Sequence, residues 1–452
     1  MAAERPSSAT MTTLPARHDN RYQLMHELGR GSYGVVFKAW DTHARRFVAI
    51  KRNDHPFDHF GSAVRVLREI TFLRLLKSHE NIVTLTDICA PGSADECGTV
   101  YLVFECMTTD LHRLLNSPRQ VASLTTEHVR FIMFQLLRAL AFMHARKVLH
   151  RDLKPSNILI NNTCEVRLCD FGLSRAFVES SQTDFVFWTD YVATRWYRAP
   201  ELILQFSANY EAGIDIWAAG CVFGELLTRG RPMFPGQSFV HQVELMVVTL
   251  GKPPTSVTQR AEPRIRSLMQ QLPEPALSHE RECTARDMRV RRLQSHFSVC
   301  CGAGNDSPGV ELKDNDAIDL LAGMLDWNPS ARITALDALR HPYFSSIYRR
   351  EYEPVLVQPI CRSECMFENL THLAQLRTAY LTELVKHYHP QLGPVLLPSP
   401  AADAADKGAH EQEFRRRLRL VSQAERLRAM FKLAGSATHV TPLHDSLPDP
   451  KI

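Results

Sequence analysis

Regular alternation of apolar and polar positions begins at Tyr22. Tyr22-Gln23-Leu24-Met25-His26-Glu27-Leu28 reads as a strand, Val35-Val36-Phe37-Lys38-Ala39-Trp40 as a second and Phe47-Val48-Ala49-Ile50-Lys51 as a third. In the third, the period of two puts Ala49 and Lys51 on one face and Val48 and Ile50 on the other. The period then becomes helical: Val66, Ile70, Leu73 and Leu76 recur between Ser62 and Lys77, with Glu69 inside that helix. After a turn at Pro91-Gly92-Ser93, the β-branched and aromatic run Val100-Tyr101-Leu102-Val103-Phe104 predicts a buried strand. Val129, Met133, Leu136, Leu137 and Leu140 predict a long buried helix over residues 126–146, and the chain beyond it is mainly helical in pattern. The class expected is α+β, with two lobes: a small β-rich N-lobe over 21–104, a hinge at 105–110 and a larger, mainly helical C-lobe over 111–344.

Composition narrows the function classes. With 452 residues, 44% of them hydrophobic, the chain can bury more than one core. A net charge of +4 supplies no concentrated basic field, so no nucleic-acid partner is expected. Eleven cysteines without paired CxxC spacing read as reduced thiols, and with them goes an intracellular location, cytoplasm or nucleus. Cys361 and Cys365 form a lone CxxxC that does not make a zinc half-site. No apolar run reaches the length of a membrane span, the first twenty residues do not resemble a signal peptide, and no glycine follows Met1 for myristoylation. Residues 1–20, rich in Ala, Ser, Thr and Pro, read as a disordered N-terminus.

Four motifs carry chemistry. Gly29-Arg30-Gly31-Ser32-Tyr33-Gly34 is weak alone, since a GxGxxG also opens dinucleotide sites; there a helix follows, whereas Val-Val-Phe after Gly34 favours a strand. The glycines therefore read as a hairpin lid over ATP phosphates, where a Cβ would obstruct the approach of backbone amides. Ala49 can touch adenine, Lys51 can reach the phosphates, and Glu69 is the ion-pair partner for Lys51. His150-Arg151-Asp152-Leu153-Lys154-Pro155-Ser156-Asn157 and, after a β-rich run, Asp170-Phe171-Gly172 resemble the catalytic loop and metal-binding turn of a protein kinase. Phosphoryl transfer needs positioning and charge neutralisation: Asp152 accepts the hydroxyl proton, Lys154 reaches the moving phosphoryl group, and Asn157 and Asp170 offer hard oxygens to Mg2+. Phe104 stands at the back of the nucleotide pocket, and Asp110 either reaches the ribose or caps the helix that begins at Leu111, two compatible roles.

The run Thr189-Asp190-Tyr191-Val192-Ala193-Thr194-Arg195-Trp196-Tyr197-Arg198-Ala199-Pro200-Glu201 narrows the resemblance to mitogen-activated protein kinases, in which a Thr-x-Tyr pair precedes such a sequence. The resemblance covers roughly residues 21–389, with 345–389 as the C-terminal extension typical of that family. It implies ATP and Mg2+ as cofactors, protein substrates with Ser or Thr before Pro, and activation at Thr189 and Tyr191 by an upstream dual-specificity kinase. It implies nucleotide contacts along Leu28-Gly29-Arg30-Gly31-Ser32-Tyr33-Gly34-Val35-Val36 and at Ala49, Lys51 and Asp110. Arg68, Arg151 and Arg175 would receive phospho-Thr189, and Arg195 with Arg198 would receive phospho-Tyr191. Asp215 resembles the aspartate that braces the catalytic loop, and Arg332 stands where the family pairs an arginine with the Glu201 carboxylate. Cys169, just before Asp170, reads as a small buried side chain that an electrophile in the ATP pocket would reach only if it is exposed. Two other readings compete: a scaffold that binds partners without turnover, against which all the chemical residues are retained, and a small-molecule phosphotransferase, which the phosphoacceptor pair disfavours.

Three stretches depart from that family. Residues 274–310 form a longer connection of mixed charge and read as a flexible surface insertion, with a partner site as the alternative. After His341-Pro342-Tyr343, where many of these kinases carry acidic residues that attract basic docking motifs, Arg349 and Tyr352 stand at the two main acidic positions and Glu353 keeps its sign. Glu351 compensates if that loop is shifted by two residues. Beyond 390 come a Pro- and Ala-rich linker and a basic helix candidate over 411–433, which either binds a partner or anionic membrane surface, packs back on the kinase body or stays solvated.

Overall fold

The computed structural model describes residues 21–31, 34–89, 98–176, 195–204, 212–261, 263–272, 284–302, 314–354 and 357–390. The expected N-terminal disorder, the linker and the basic helix candidate lie outside these residues, as do Ser32, Tyr33, Thr189 and Tyr191. The chain folds as two compact units. One takes residues up to Ile70, Thr84–Cys106 and the chain from Phe367 on; the other takes Thr71–Val83 and Met107–Met366.

The first unit is an antiparallel sheet with a helix. Strands β1 (Tyr22–Gly31), β2 (Gly34–Asp41) and β3 (Arg46–Asn53) are followed by helix α1 (Phe60–Leu76), β4 (Leu85–Cys89) and β5 (Val100–Glu105). The sheet order is β1-β2-β3-β5-β4. The first three strands and β5 are those the alternation predicts, because every second residue reaches one core: Tyr22, Ala39, Val48, Ile50, Cys89, Tyr101 and Val103 are buried together. β4 was not expected. Its Leu-Thr-Asp-Ile-Cys run is short and irregular in register between Leu85 and Asp87, and Asp87 is held by Tyr22 Oη (2.9 Å) and Arg21 Nη1 (3.0 Å), contacts distant in sequence.

The C-terminal extension contributes to this same unit from Phe367. Helix Leu373–Glu383 lays Tyr380 against Phe57 (ring centroids 5.1 Å), while Arg377 Nη2 donates to the Phe57 carbonyl (3.1 Å) and His389 Nε2 to that of Ile88 (2.8 Å). Residues 71–83, expected in the N-lobe, belong to the second unit because the chain there pairs with a strand of that unit: Val83 N donates to Leu168 O and Leu168 N to Asn81 O, both at 2.9 Å.

The second unit opens with β6 (Thr109–Asp110), α2 (Leu111–Leu115), α3 (Pro118–Ser123) and α4 (Thr126–Ala145), then β7 (Val148–Leu149), β8 (Ile158–Ile160), β9 (Val166–Leu168) and β10 (Arg175–Ala176). β6, β8 and β9 form a small sheet, and β10 pairs with β7. The helices that follow are α5 (Pro200–Ile203), α6 (Gly213–Leu227), α7 (Phe239–Leu250), α8 (Thr255–Thr258), α9 (Pro263–Gln271), α10 (Ala285–Gly302), α11 (Asn315–Met324) and α12 (Ala335–Leu339), with α13 the Leu373–Glu383 helix of the first unit. α4 is capped by Thr125, whose hydroxyl accepts from His128 N while the His128 ring accepts from Thr125 N. α6 is buried from Ile214 to Leu227, as a helix apolar on all sides must be. No described helix is long and apolar enough to cross a membrane.

α10 corrects the expectation of a flexible loop over 274–310, for residues 285–302. Its buried side holds Leu293 and Phe297 together with Arg289 and Arg292, so charge interrupts the apolar stripe that a sequence pattern would detect. Arg289 Nη2 donates to Asp326 (2.7 Å) while its Nε is buried without a hydrogen-bond partner, and Arg292 lies against Gly251, where a Cβ would come within 2.9 Å of its Nε. Phe297 is 1% exposed, so Phe297→Ala should cost about 3–5 kcal/mol, read as a lowered denaturation midpoint. A solvated loop would keep the change within about 0.5 kcal/mol.

Candidate active site

In the first unit, the hairpin closes with Gly31 opposite Gly34. A Cβ on Gly34 would lie 2.1 Å from the Arg52 carbonyl, so glycine there is a packing requirement of β2 on β3. A Cβ on Gly31 would meet nothing within 4 Å; the protein's own packing does not demand that glycine, and the space suits a ligand's close approach. Leu28 sits in a register irregularity between Glu27 and Gly29, and Arg30 is exposed and paired with Glu27 (2.9 Å). Val36 is paired with Lys51 across the ladder and Lys38 with Ala49, so Val36, Ala49 and Lys51 share one half-buried face. Val35, counted with the nucleotide positions, turns its side chain to the opposite face and is 4% exposed, as the period of two requires. α1 then brings Glu69 to Lys51: Nζ lies 2.8 Å from both carboxylate oxygens, with Glu69 buried.

In the second unit, Asp215 organises the catalytic loop. This 1%-exposed carboxylate near the start of α6 accepts from His150 N (2.8 Å) and Arg151 N (2.8 Å), and bonds His144 Nε2 (3.0 Å) at the end of α4. Burial works to raise its pKa, but the His144 bond, the nearby histidines and the Arg151 amide hold it below the ordinary carboxylate value. Arg151 takes a left-handed conformation (φ 70°), so the chain turns sharply and Asp152 follows. Asp152 Oδ2 accepts from Lys154 Nζ (2.7 Å) and Asn157 Nδ2 (3.0 Å), and Asn157 Nδ2 also donates to the Asp152 carbonyl (2.8 Å). With both contacts made by its nitrogen, the Asn157 amide is oriented and its oxygen remains to meet a cation.

Cys169 N donates to Asn157 O (3.0 Å), which sets Asp170, itself left-handed at φ 64°, beside Asn157. His150 bonds the Cys169 carbonyl (3.1 Å) and meets the Phe171 ring edge-on at 5.1 Å, fixing the far side of that turn. Among the described residues no three His, Cys, Asp or Glu side chains converge on a metal position. An oriented amide oxygen and one carboxylate fit Mg2+, which takes few protein ligands and completes its shell with nucleotide phosphates and water. Cys169 is half-buried, with Sγ 3.4 Å from Asn157 O, so it is more accessible than expected.

The remaining residues divide. Asp110 caps α2, accepting from Arg113 N at 2.9 Å, which is the capping alternative. Arg68 is engaged by Glu368 of the C-terminal extension (2.9 Å), a contact 300 residues apart for which the sequence carries no local signal. Arg175 lies in β10, paired with β7. Burial lowers the pKa of Arg198, and the charge of Asp152 opposes that shift. Arg332 holds Glu201 with two bonds (2.8 and 3.0 Å), as the resemblance implies, and His144 is the bracing residue that sequence reading missed.

Residues 22–344 match the protein kinase domain family. The chain is 40% identical over 378 residues to mitogen-activated protein kinase 8 of Arabidopsis thaliana, covering 82% of this chain and 58% of that protein. It is 42% identical over 375 residues to mitogen-activated protein kinase 19 of the same plant (82% and 57%), and 40% identical over 375 residues to mitogen-activated protein kinase 16 of Oryza sativa subsp. japonica (82% and 68%). It thus spans under two thirds of the length of several curated relatives. The motifs, the loop geometry and these similarities agree: the chain belongs to the protein kinase family and, within it, to the mitogen-activated protein kinases.

Proposed function

We propose that the protein transfers the γ-phosphoryl group of ATP to Ser or Thr hydroxyls of protein substrates, at positions followed by proline. The geometry of Asp152 carries this reading. Both of its side-chain bonds go to Oδ2, from Lys154 and Asn157, which leaves Oδ1 to take the proton of an incoming hydroxyl. Lys154, bonded to Asp152, is positioned to follow the phosphoryl group, while Lys51, oriented by Glu69, binds the nucleotide phosphates. Asn157 and Asp170 would hold magnesium, which would supply charge neutralisation for the phosphates. The preference for proline and the activating phosphorylation at Thr189 and Tyr191 are supported by the family resemblance, and the thiol-rich composition supports an intracellular location.

Docking of partners departs from the family. Glu353 is held by Arg340 through two bonds (2.8 and 2.7 Å) and by the Tyr348 hydroxyl, bonds that lower its pKa to about 2. Its charge is thereby matched within the protein. Tyr352 meets Phe134 edge-on at 5.6 Å and lies under Arg138 (4.6 Å), while Arg349 and Arg350 are exposed. These features support weak recruitment of basic docking motifs, with contacts instead through an apolar groove, the 274–310 region or the tail.

Three measurements test the proposal. Asp152→Asn should retain ATP binding in a titration while losing about a hundredfold to ten-thousandfold in phosphoryl transfer to a generic Ser/Thr-Pro protein; near-normal turnover would restore the scaffold reading. Thr189→Ala combined with Tyr191→Phe should leave basal activity alone, and phosphatase treatment should lower the wild type to that level, since each phosphate brings about −1.5 to −2 charges that arginines can pair with. A basic docking peptide titrated across a salt series should bind weakly; tight, salt-sensitive binding abolished by Glu353→Ala would show that an acidic site survives.

A further inference from the structure

Helix α1 carries Glu69 to Lys51, and its inner side, with Leu67 and Ile70 fully buried, is held by apolar contacts that have no preferred direction. Burial of that kind fixes how deep a helix sits and leaves its rotation and its shift along the axis open. Charged contacts with the C-terminal extension supply the missing constraint. Arg68, the residue before Glu69, is buried, and its Nε donates to Glu368 Oε1 at 2.9 Å. Glu368 stands in the short helical stretch Arg362–Asn369, beside the buried Phe367. Successive side chains leave a helix about 100° apart, so Arg68 and Glu69 point in neighbouring directions and one rotation of α1 moves both.

The same extension grips the chain ahead of α1. Arg377 Nη2 donates to the Phe57 carbonyl (3.1 Å), and the buried Tyr380 lies against the Phe57 ring at 5.1 Å between centroids. One segment therefore holds the approach to α1 and its middle, next to the carboxylate whose two oxygens both lie 2.8 Å from Lys51 Nζ. Lys51, Glu69, Arg68 and Glu368 form an unbroken line, two ion pairs joined by one peptide link. The far end of the extension is tied elsewhere: His389 Nε2 reaches Ile88 O (2.8 Å) and Asp87 Oδ1 (3.2 Å) of β4.

We infer that Glu368 is a positioning residue for the nucleotide: through Arg68 it fixes the setting of α1 at which Glu69 meets Lys51, and it thereby couples ATP binding to docking of the C-terminal extension. This rests on the reading above of Lys51 as the group that takes the nucleotide phosphates, and adds to it a residue 300 positions from Arg68 and outside the recognised motifs. Coupling of this kind is reciprocal. Because the hold on Arg68 favours the arrangement that binds ATP, ATP in turn tightens the extension onto α1. His389 supplies an internal control, since it ties the same extension to β4 by bonds that lie off the line from Glu368 to Lys51.

The test uses the full chain after phosphatase treatment, so that no phosphate competes for Arg68. In a titration with ATP and Mg2+, Glu368→Gln should raise Kd about five- to tenfold, whereas His389→Ala should stay within about twofold of the wild type. Amide hydrogen exchange reads the reverse direction: saturating ATP should slow exchange in α13 of the wild type and leave α13 of Glu368→Gln unchanged. Equal rises in Kd for the two variants would reduce the extension to a general brace, and ATP protection that survives in Glu368→Gln would place the coupling elsewhere; either result overturns the inference. Neither readout needs turnover. A chain that shows this coupling yet transfers no phosphoryl group fails the phosphotransfer reading alone, and an unchanged Kd in Glu368→Gln fails the inference alone. Should Glu368→Gln not fold, Glu368→Asp takes its place, keeping the charge but withdrawing it by one methylene; a smaller rise in Kd is expected, and an unchanged Kd again counts against the inference.

Discussion

Asp215 is the interaction on which the catalytic loop depends. A carboxylate taken out of water costs several kcal/mol unless hydrogen bonds replace hydration. Here the replacements are the amides of His150 and Arg151 and the ring of His144. Each of these bonds would be weak at the surface, but in the interior the alternative is an unpaired charge, so the loop backbone is held to the start of α6. Asp152 is the next residue along. Its position is inherited from those two amides, and the left-handed Arg151 is the local strain this arrangement sustains.

The first unit follows a similar rule with a different pair. Lys51 is on a strand and Glu69 on a helix, and neither would be worth much exposed; buried, each makes the other's burial tolerable. The residue before Glu69, Arg68, is engaged by Glu368, and Phe57 just before α1 is covered by Tyr380, so the C-terminal extension holds the helix that presents Glu69. A small sheet with one helix has limited apolar surface to bury, and a segment joined from the far end of the chain adds to it.

Changes from the family pattern fall where charge is rearranged rather than lost. Glu353 persists but is matched by Arg340, and Arg289 of α10 enters the protein where Asp326 receives it. Both cases show acidic and basic residues whose consequences depend on which partner the fold supplies.

The strands around the glycine hairpin, α1 and α4 were legible in the sequence because burial on one face imposes a period of two or 3.6, and neighbouring residues report it. The candidate site residues Lys51, Glu69, Asp152, Lys154, Asn157 and Asp170 were legible as candidates because phosphoryl transfer would need such groups on one strand, one helix and one loop, and the structure sets Glu69 against Lys51 and both Lys154 and Asn157 against Asp152. Tertiary structure decided the rest. β4 exists because Asp87 finds Tyr22 and Arg21; Arg68 is held by Glu368, 300 positions away; and α10 buries Arg289, which looks solvent-facing until Asp326 is brought beside it. A buried charge is recognisable as buried only through its partner, and partners distant in the chain leave no periodic trace in the sequence.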